Sequence, residues 1–141
     1  AFFAKPVRAQ VMLATAEARP PLDEVRGACQ SPLDALESAH ETARALAEAL
    51  DADLASASLR LDSLSHRGRS SAPFDATVAE ARRAQTLASA EVEPDPVAAR
   101  GRLEAARTKI DSMIEAVEAI EAADDRRRDL VERINDVRAR A

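Results

Sequence analysis

A regular alternation of three- and four-residue steps runs from Leu33 to Leu64 and constrains the fold more than any other feature of the chain. The positions on it are small or apolar except for one histidine: Leu33, Leu36, His40, Ala43, Ala47, Leu50, Leu54, Ala57, Leu61 and Leu64. This spacing places all of them on one side of a helix, which must then pack against another helix. The sequence therefore predicts an all-α fold, an elongated antiparallel helical bundle or coiled coil with two long helices.

A second apolar seam lies near the end of the chain and is interrupted. Its members are Leu103, Ala106, Ile110, Met113, Val117 and Ile120. The next two positions, Asp124 and Arg127, are charged, and the apolar pattern returns after a shift of three residues at Leu130, Ile134 and Val137. Two interpretations are open: a stammer that locally overwinds a coiled coil, or a kink or domain edge at residues 124–125.

Prolines, glycines and capping residues set the predicted helix boundaries. Helix ends are predicted at Pro20-Pro21 and Gly68, and helix starts at Ser31-Pro32 and Asp95-Pro96. Within a single domain covering residues 1–141, the predicted helices are 6–18, 22–29, 32–66, 73–92 and 96–141.

Composition favours close pairing of helices over a thick core. Hydrophobic residues make up 46% of the chain but aromatic residues only 2%, with no Trp and no Tyr. Aromatic side chains usually supply much of a core's buried area. The single Cys29 excludes an internal disulfide and is interpreted as buried apolar filler. The formal net charge of -5 does not favour binding to nucleic acid.

The residues that carry chemistry in other proteins are too scattered here to form a recognisable site. His40 and His66 are the two histidines, and they are not spaced as a pair of metal ligands on one helix face. The glycines Gly27, Gly68 and Gly101 are isolated, so no phosphate-binding loop is predicted. His40 is open to two interpretations, a metal ligand or pH switch and a polar seam residue that fixes helix register, of which the second is favoured. We predict no catalytic residue, cofactor or metal, and no small-molecule ligand is evident.

Charge is most uneven in the last third of the chain. An acidic run comes first, and arginines follow it: Asp111, Glu115, Glu118, Glu121, Asp124 and Asp125, then Arg126, Arg127, Arg128, Arg133, Arg138 and Arg140. One interpretation is an electrostatic contact with another chain or with an anionic membrane surface. The favoured interpretation is a solvated helix whose acids come early and whose bases come late, as the helix dipole prefers.

Two short stretches, Pro94–Arg100 and Leu103–Ala106, resemble the alanine-rich helical regions that follow the membrane span in actinobacterial TPM-domain proteins. The globular TPM domain itself is absent from the chain. The resemblance implies a membrane-tethered, envelope-associated helical segment with no catalytic residues. Phe2 and Phe3 ahead of Lys5 are also typical of a membrane–water boundary, but the favoured interpretation is that they pack onto the bundle.

These observations predict a non-enzymatic structural or scaffolding coiled-coil module that mediates protein–protein interaction, in a larger bacterial membrane-anchored protein. Its partner would be another protein or a second copy, held through the helix seams. The alternative is a ligand-sensing helical bundle forming the ectodomain of a membrane receptor. The residues predicted to form the interacting seams are Leu33, Leu36, His40, Leu50, Leu54, Leu61, Leu64, Leu103, Ile110, Met113, Val117, Ile120 and Ile134.

Overall fold

The computed structural model describes the backbone of residues 4–141 and the side chains of residues 22–141. It contains three α-helices: α1 (Ala4–His66), α2 (Ala72–Glu91) and α3 (Pro96–Arg140). The described backbone forms no strand. The predicted all-α helical bundle is therefore confirmed. The side chains of Phe2, of Phe3 and of residues 6–18 lie outside the described residues.

Helix α1 is continuous where the sequence predicted three separate helices. The boundaries expected at Pro20-Pro21 and at Ser31-Pro32 are wrong, because the helix extends from Ala4 to His66. A proline inside a helix removes one backbone hydrogen bond and crowds the preceding turn, which strains the helix but need not end it. Local start and stop signals thus overstated the number of helices in this part of the chain.

Backbone contacts divide the chain into two units, Ala1–Ala39 and His40–Ala141. In the first unit every side chain from Leu22 to Ser38 is exposed. Cys29 is among them, so its interpretation as buried filler is wrong. A three–four spacing marks a helix face that is able to pair, but burial also requires a second helix lying on that face.

The second unit contains the hydrophobic core, to which all three helices contribute. The buried residues of α1 are Ala43, Leu50, Leu54, Ala57, Leu61 and Leu64; those of α2 and its C-cap are Ala81, Ala88 and Val92; those of α3 are Ala99, Leu103, Ala106, Ile110, Met113 and Val117. Leucine and isoleucine supply the volume, and alanine allows the helix axes to approach. The core therefore follows the two predicted seams, with α2 covering them through small side chains.

Ion pairs establish the relative directions of the helices within this unit. In order along α1 they are Arg44–Glu93, Asp53–Arg107, Arg60–Glu118 and Arg67–Asp125. Because both residue numbers rise together, α1 and α3 run in the same direction here. The pairs between α2 and α3 are Glu80–Lys109 and Glu91–Arg102, whose numbers change in opposite senses. Helix α2 therefore runs antiparallel to α3.

The two loops of the unit are closed by the residues that the sequence indicated. Gly68 has a φ of 75°, a left-handed conformation that favours glycine. The amides of Gly68 and Arg69 donate to the carbonyls of Ser65 and Leu64, which is the hydrogen-bond pattern of a Schellman motif. At the other loop, the Asp95 side chain accepts a hydrogen bond of 3.0 Å from the Ala98 amide, and Pro96 begins α3. Both predicted boundaries are confirmed.

Replacing Asp95 with alanine is expected to lower the free energy of unfolding by roughly 0.5–2 kcal/mol, because the first turn of α3 loses its side-chain acceptor. Thermal melts followed by far-UV circular dichroism measure the change. Asp95→Asn is the matched control, since its side-chain carbonyl still accepts the bond. Equal melting of the alanine variant and the native chain would show that this cap does not stabilise α3.

Candidate helix interaction surfaces

Most of the predicted seam residues meet in the core of the second unit. The buried ones are Leu50, Leu54, Leu61, Leu64, Leu103, Ile110, Met113 and Val117. Ile120 is partly buried against the same core. Leu33, Leu36 and Ile134 are exposed, with about half of each side chain accessible to solvent. These three residues lie on helix faces open to solvent, and their role as a seam with a partner helix stays a prediction.

His40 lies at the edge of the core beside the loop between α2 and α3. Its side chain is 18% exposed, and its Nε2 lies 3.2 Å from the backbone carbonyl oxygen of Glu93 and 3.9 Å from the Glu93 carboxylate. Glu93 also accepts a hydrogen bond of 2.6 Å from Arg44. Hydrogen bonding and charge from Arg44 hold the pKa of Glu93 below its ordinary value. These contacts join α1 to the second loop.

The opposite end of the unit contains an ion pair that the sequence did not predict. Asp124 is 8% exposed and is the last buried position of α3. It is also the charged residue at which the apolar seam is interrupted. Arg69 donates to both of its carboxylate oxygens, with Nε–O distances of 3.0 and 3.1 Å and a further bond from its Nη2 to Oδ1. Hydrogen bonds from Arg69 lower the pKa of Asp124 against the opposing effect of burial. The charged seam position is thus satisfied by the loop that follows α1.

Several residues of the acidic run also form ion pairs that join α3 to α1 or to the loop that follows it. Arg60 of α1 contacts Glu118 at 2.7 Å and Glu121 at 3.4 Å. Arg67 contacts Asp125 at 2.9 Å. Neither of the two interpretations given to this run included contacts to arginines some 60 residues earlier. The unequal distribution of charge along the sequence indicates electrostatic pairing, but it does not identify the arginines that the acidic residues contact.

The arginine-rich end of α3 leaves the core with an apolar stripe exposed. Every side chain from Asp125 to Ala141 is exposed. Leu130, Val131, Ile134 and Val137 are 50–68% accessible although they share one side of the helix. We call residues 126–140 the basic tail, which contains six arginines and three acidic residues.

A second exposed stripe lies on α1 in the first unit. Leu22, Val25, Cys29 and Leu33 occur at three–four spacing and are exposed. This stripe is accompanied by four acidic residues and one basic residue between positions 22 and 39: Asp23, Glu24, Asp34 and Glu37, with Arg26. We call residues 22–39 the acidic segment.

A shallow groove of about 480 Å³ lies between α2 and α3. It is lined mainly by small and apolar residues: Ala81, Ala84, Leu87, Ala98, Gly101, Ala105 and Ala106. Two ion pairs cross beside it, Lys109 with Glu80 and Arg102 with Glu91. The groove resembles a surface for an apolar helix or small molecule more than a reaction site, because most of its lining residues are small or apolar.

Within the part of the chain that the structure describes, no three His, Cys, Asp or Glu residues gather as metal ligands. No helix within those residues combines the length and apolar character needed to cross a membrane. Neither a protein-family model, nor a curated protein, nor a solved structure matches the chain.

Proposed function

We propose that the chain is a non-enzymatic scaffolding module that associates with other helices through its exposed apolar stripes. The observation that carries the proposal is the basic tail, where α3 continues for four turns beyond the core with four large apolar residues accessible. Exposed apolar residues that line one helix face are a common basis of helix-to-helix recognition. The two longer helices would form the arms of an elongated coiled coil.

The same proposal places the module in a larger, membrane-anchored bacterial envelope protein. Its support is the sequence resemblance to the helical regions of TPM-domain proteins. A protein partner or a second copy would be held away from the membrane by such a segment.

Self-association is measured by light scattering with small-angle X-ray scattering across a concentration series of the full chain. We expect the mass to rise with concentration, and Ile134→Glu to weaken the association because it places a charge in the stripe. Glu132→Gln, on the other side of the tail, is the control. A mass equal to one chain at every concentration would overturn self-association as the function.

A ligand-sensing bundle is the second candidate, and the groove between α2 and α3 favours it. A small apolar molecule in the groove would stabilise the folded chain by mass action. Thermal-shift measurements with pools of small molecules test this candidate. A rise in Tm that is lost on filling the groove by Gly101→Leu supports it, since a side chain added at Gly101 meets open space. No rise with any pool would count against it.

A further inference from the structure

We infer that the basic tail of one chain pairs, parallel and in register, with the acidic segment of a second copy. This inference rests on the proposed function and names its partner. Both surfaces are exposed helix faces of similar length, about 23 Å for the tail and about 27 Å for the segment. The tail carries an excess of three positive charges and the segment an excess of three negative charges.

Charge disfavours the simplest alternative, in which two tails pair with each other in parallel. In a parallel pair of tails, Arg133 on the flank of one stripe would face Arg138 on the flank of the other. Arg126 and Arg140 occupy the same flank as Arg133. Like charges on both sides of the stripe disfavour this symmetric dimer, and an acidic surface complements the tail better.

One register pairs three apolar seam positions of the tail with three of the segment, and it places Arg127 opposite Arg26. With Leu130 opposite Cys29, the spacing places Ile134 opposite Leu33 and Val137 opposite Leu36. In the same register Arg133 lies diagonally across from Glu37, the arrangement of flanking salt bridges in a parallel coiled coil. A shift by one heptad would instead place Ile134 opposite Arg26. The first register pairs all three of these tail positions with apolar residues, whereas the shifted register pairs two, so apolar matching favours the first.

The acidic segment must come from a second copy because the segment of the same chain is too short to reach the tail. The tail begins beside Arg67, which contacts Asp125. The acidic segment joins the second unit at His40, and the helix from His40 to Arg67 is about 40 Å long. A segment of about 27 Å that folded back completely along this helix would still end more than 10 Å short of the tail. A head-to-tail contact of this kind repeats from copy to copy.

Disulfide trapping tests the register. One chain carries Leu130→Cys with Cys29→Ser, and the native chain supplies Cys29, so that each molecule has a single thiol. On mixing and mild oxidation we expect a disulfide between the two different chains, because the register brings the two sulfurs together. The matched control carries Glu132→Cys with Cys29→Ser, whose thiol lies on the other side of the tail and is expected to react at least about tenfold less.

Charge exchange provides an independent test that does not use thiols. Arg133→Glu and Glu37→Arg should each weaken self-association by about two- to five-fold, as an exposed ion pair does. Mixing the two variants should restore opposite charges at both kinds of contact between unlike chains and recover most of the loss. Circular dichroism of each variant checks that the fold is retained, which is expected because both positions are exposed.

The outcomes separate this inference from the proposed function. If the chains associate but form no mixed disulfide, or form disulfides between two tails, the inferred pairing is wrong. The proposed scaffolding function is not contradicted by either result. A chain that stays monomeric overturns both. Binding of the basic tail to vesicles containing anionic phospholipid, with no mixed disulfide, would overturn the inference in favour of a membrane contact.

Discussion

Replacing Leu54 with glutamate is expected to lower the Tm of the second unit by at least about 10 °C, or to abolish its cooperative melting. Leu54 is 5% exposed in the centre of the α1 seam. Loss of a buried leucine alone costs about 2–5 kcal/mol, and the introduced carboxylate adds a desolvation penalty. A domain of this size is usually stabilised by about 5–15 kcal/mol, so the loss is a large fraction of the total.

Leu59→Glu is the matched control, because Leu59 lies on the same helix and is 71% exposed. Its substitution is expected to change the free energy of unfolding by no more than about 0.5 kcal/mol. Far-UV circular dichroism is the appropriate measurement, since the chain lacks Trp and Tyr. Equal melting of the two variants would contradict the described packing of α1 against α2 and α3.

Replacing Arg69 with glutamine is expected to lower the Tm by roughly 5–10 °C at neutral pH, because Asp124 keeps its charge but loses the partner that satisfies it. Arg100→Gln is the control, since Arg100 contacts Glu104 on an exposed face of α3. The effects on Tm are compared by thermal melts of four chains. These are the native chain, Arg69→Gln, Arg100→Gln and Asp124→Asn. If Arg69→Gln melted like Arg100→Gln, the Arg69–Asp124 pair would contribute nothing to the fold.

The same pair predicts how stability depends on pH. Hydrogen bonds from Arg69 hold the pKa of Asp124 below its ordinary value in the folded chain. The unfolded chain therefore binds this proton first as the pH falls, so the pair's contribution is complete above about pH 5 and is lost on acidification from about pH 4 downward. Melts between about pH 7 and about pH 3 should show a shallower acid loss for Asp124→Asn than for the native chain. Parallel curves would contradict this assignment.

The features of the fold that depend on neighbouring residues could be read from the sequence. The cap at Asp95, the helix end at Gly68 and the burial of Leu50 and Leu103 each follow from a pattern within about one heptad. The exception is α1, where the prolines predict boundaries but the helix continues through them. Propensity is a weak guide where packing and helix length compete with it.

The candidate interaction surfaces could be predicted only in part from the sequence. Periodicity identified Leu33 and Ile134 as members of helix stripes, but it does not reveal whether a second helix covers them. The partner of Asp124 could not be predicted from the sequence, because Arg69 precedes it by 55 residues. Their contact depends on how three helices are rotated relative to one another. Charge order along the chain suggested electrostatic pairing without specifying which helices it joins.

The parallel course of α1 and α3 has a mechanical consequence. The chain enters the second unit at His40, beside Glu93, and leaves it beyond Asp124, beside Arg69. Because three helices form the unit, entry and exit lie at opposite ends. Tension applied through the chain would therefore slide α1 past α3 along their length and load many core contacts at once. A two-helix hairpin pulled at its adjacent ends would instead separate one contact at a time.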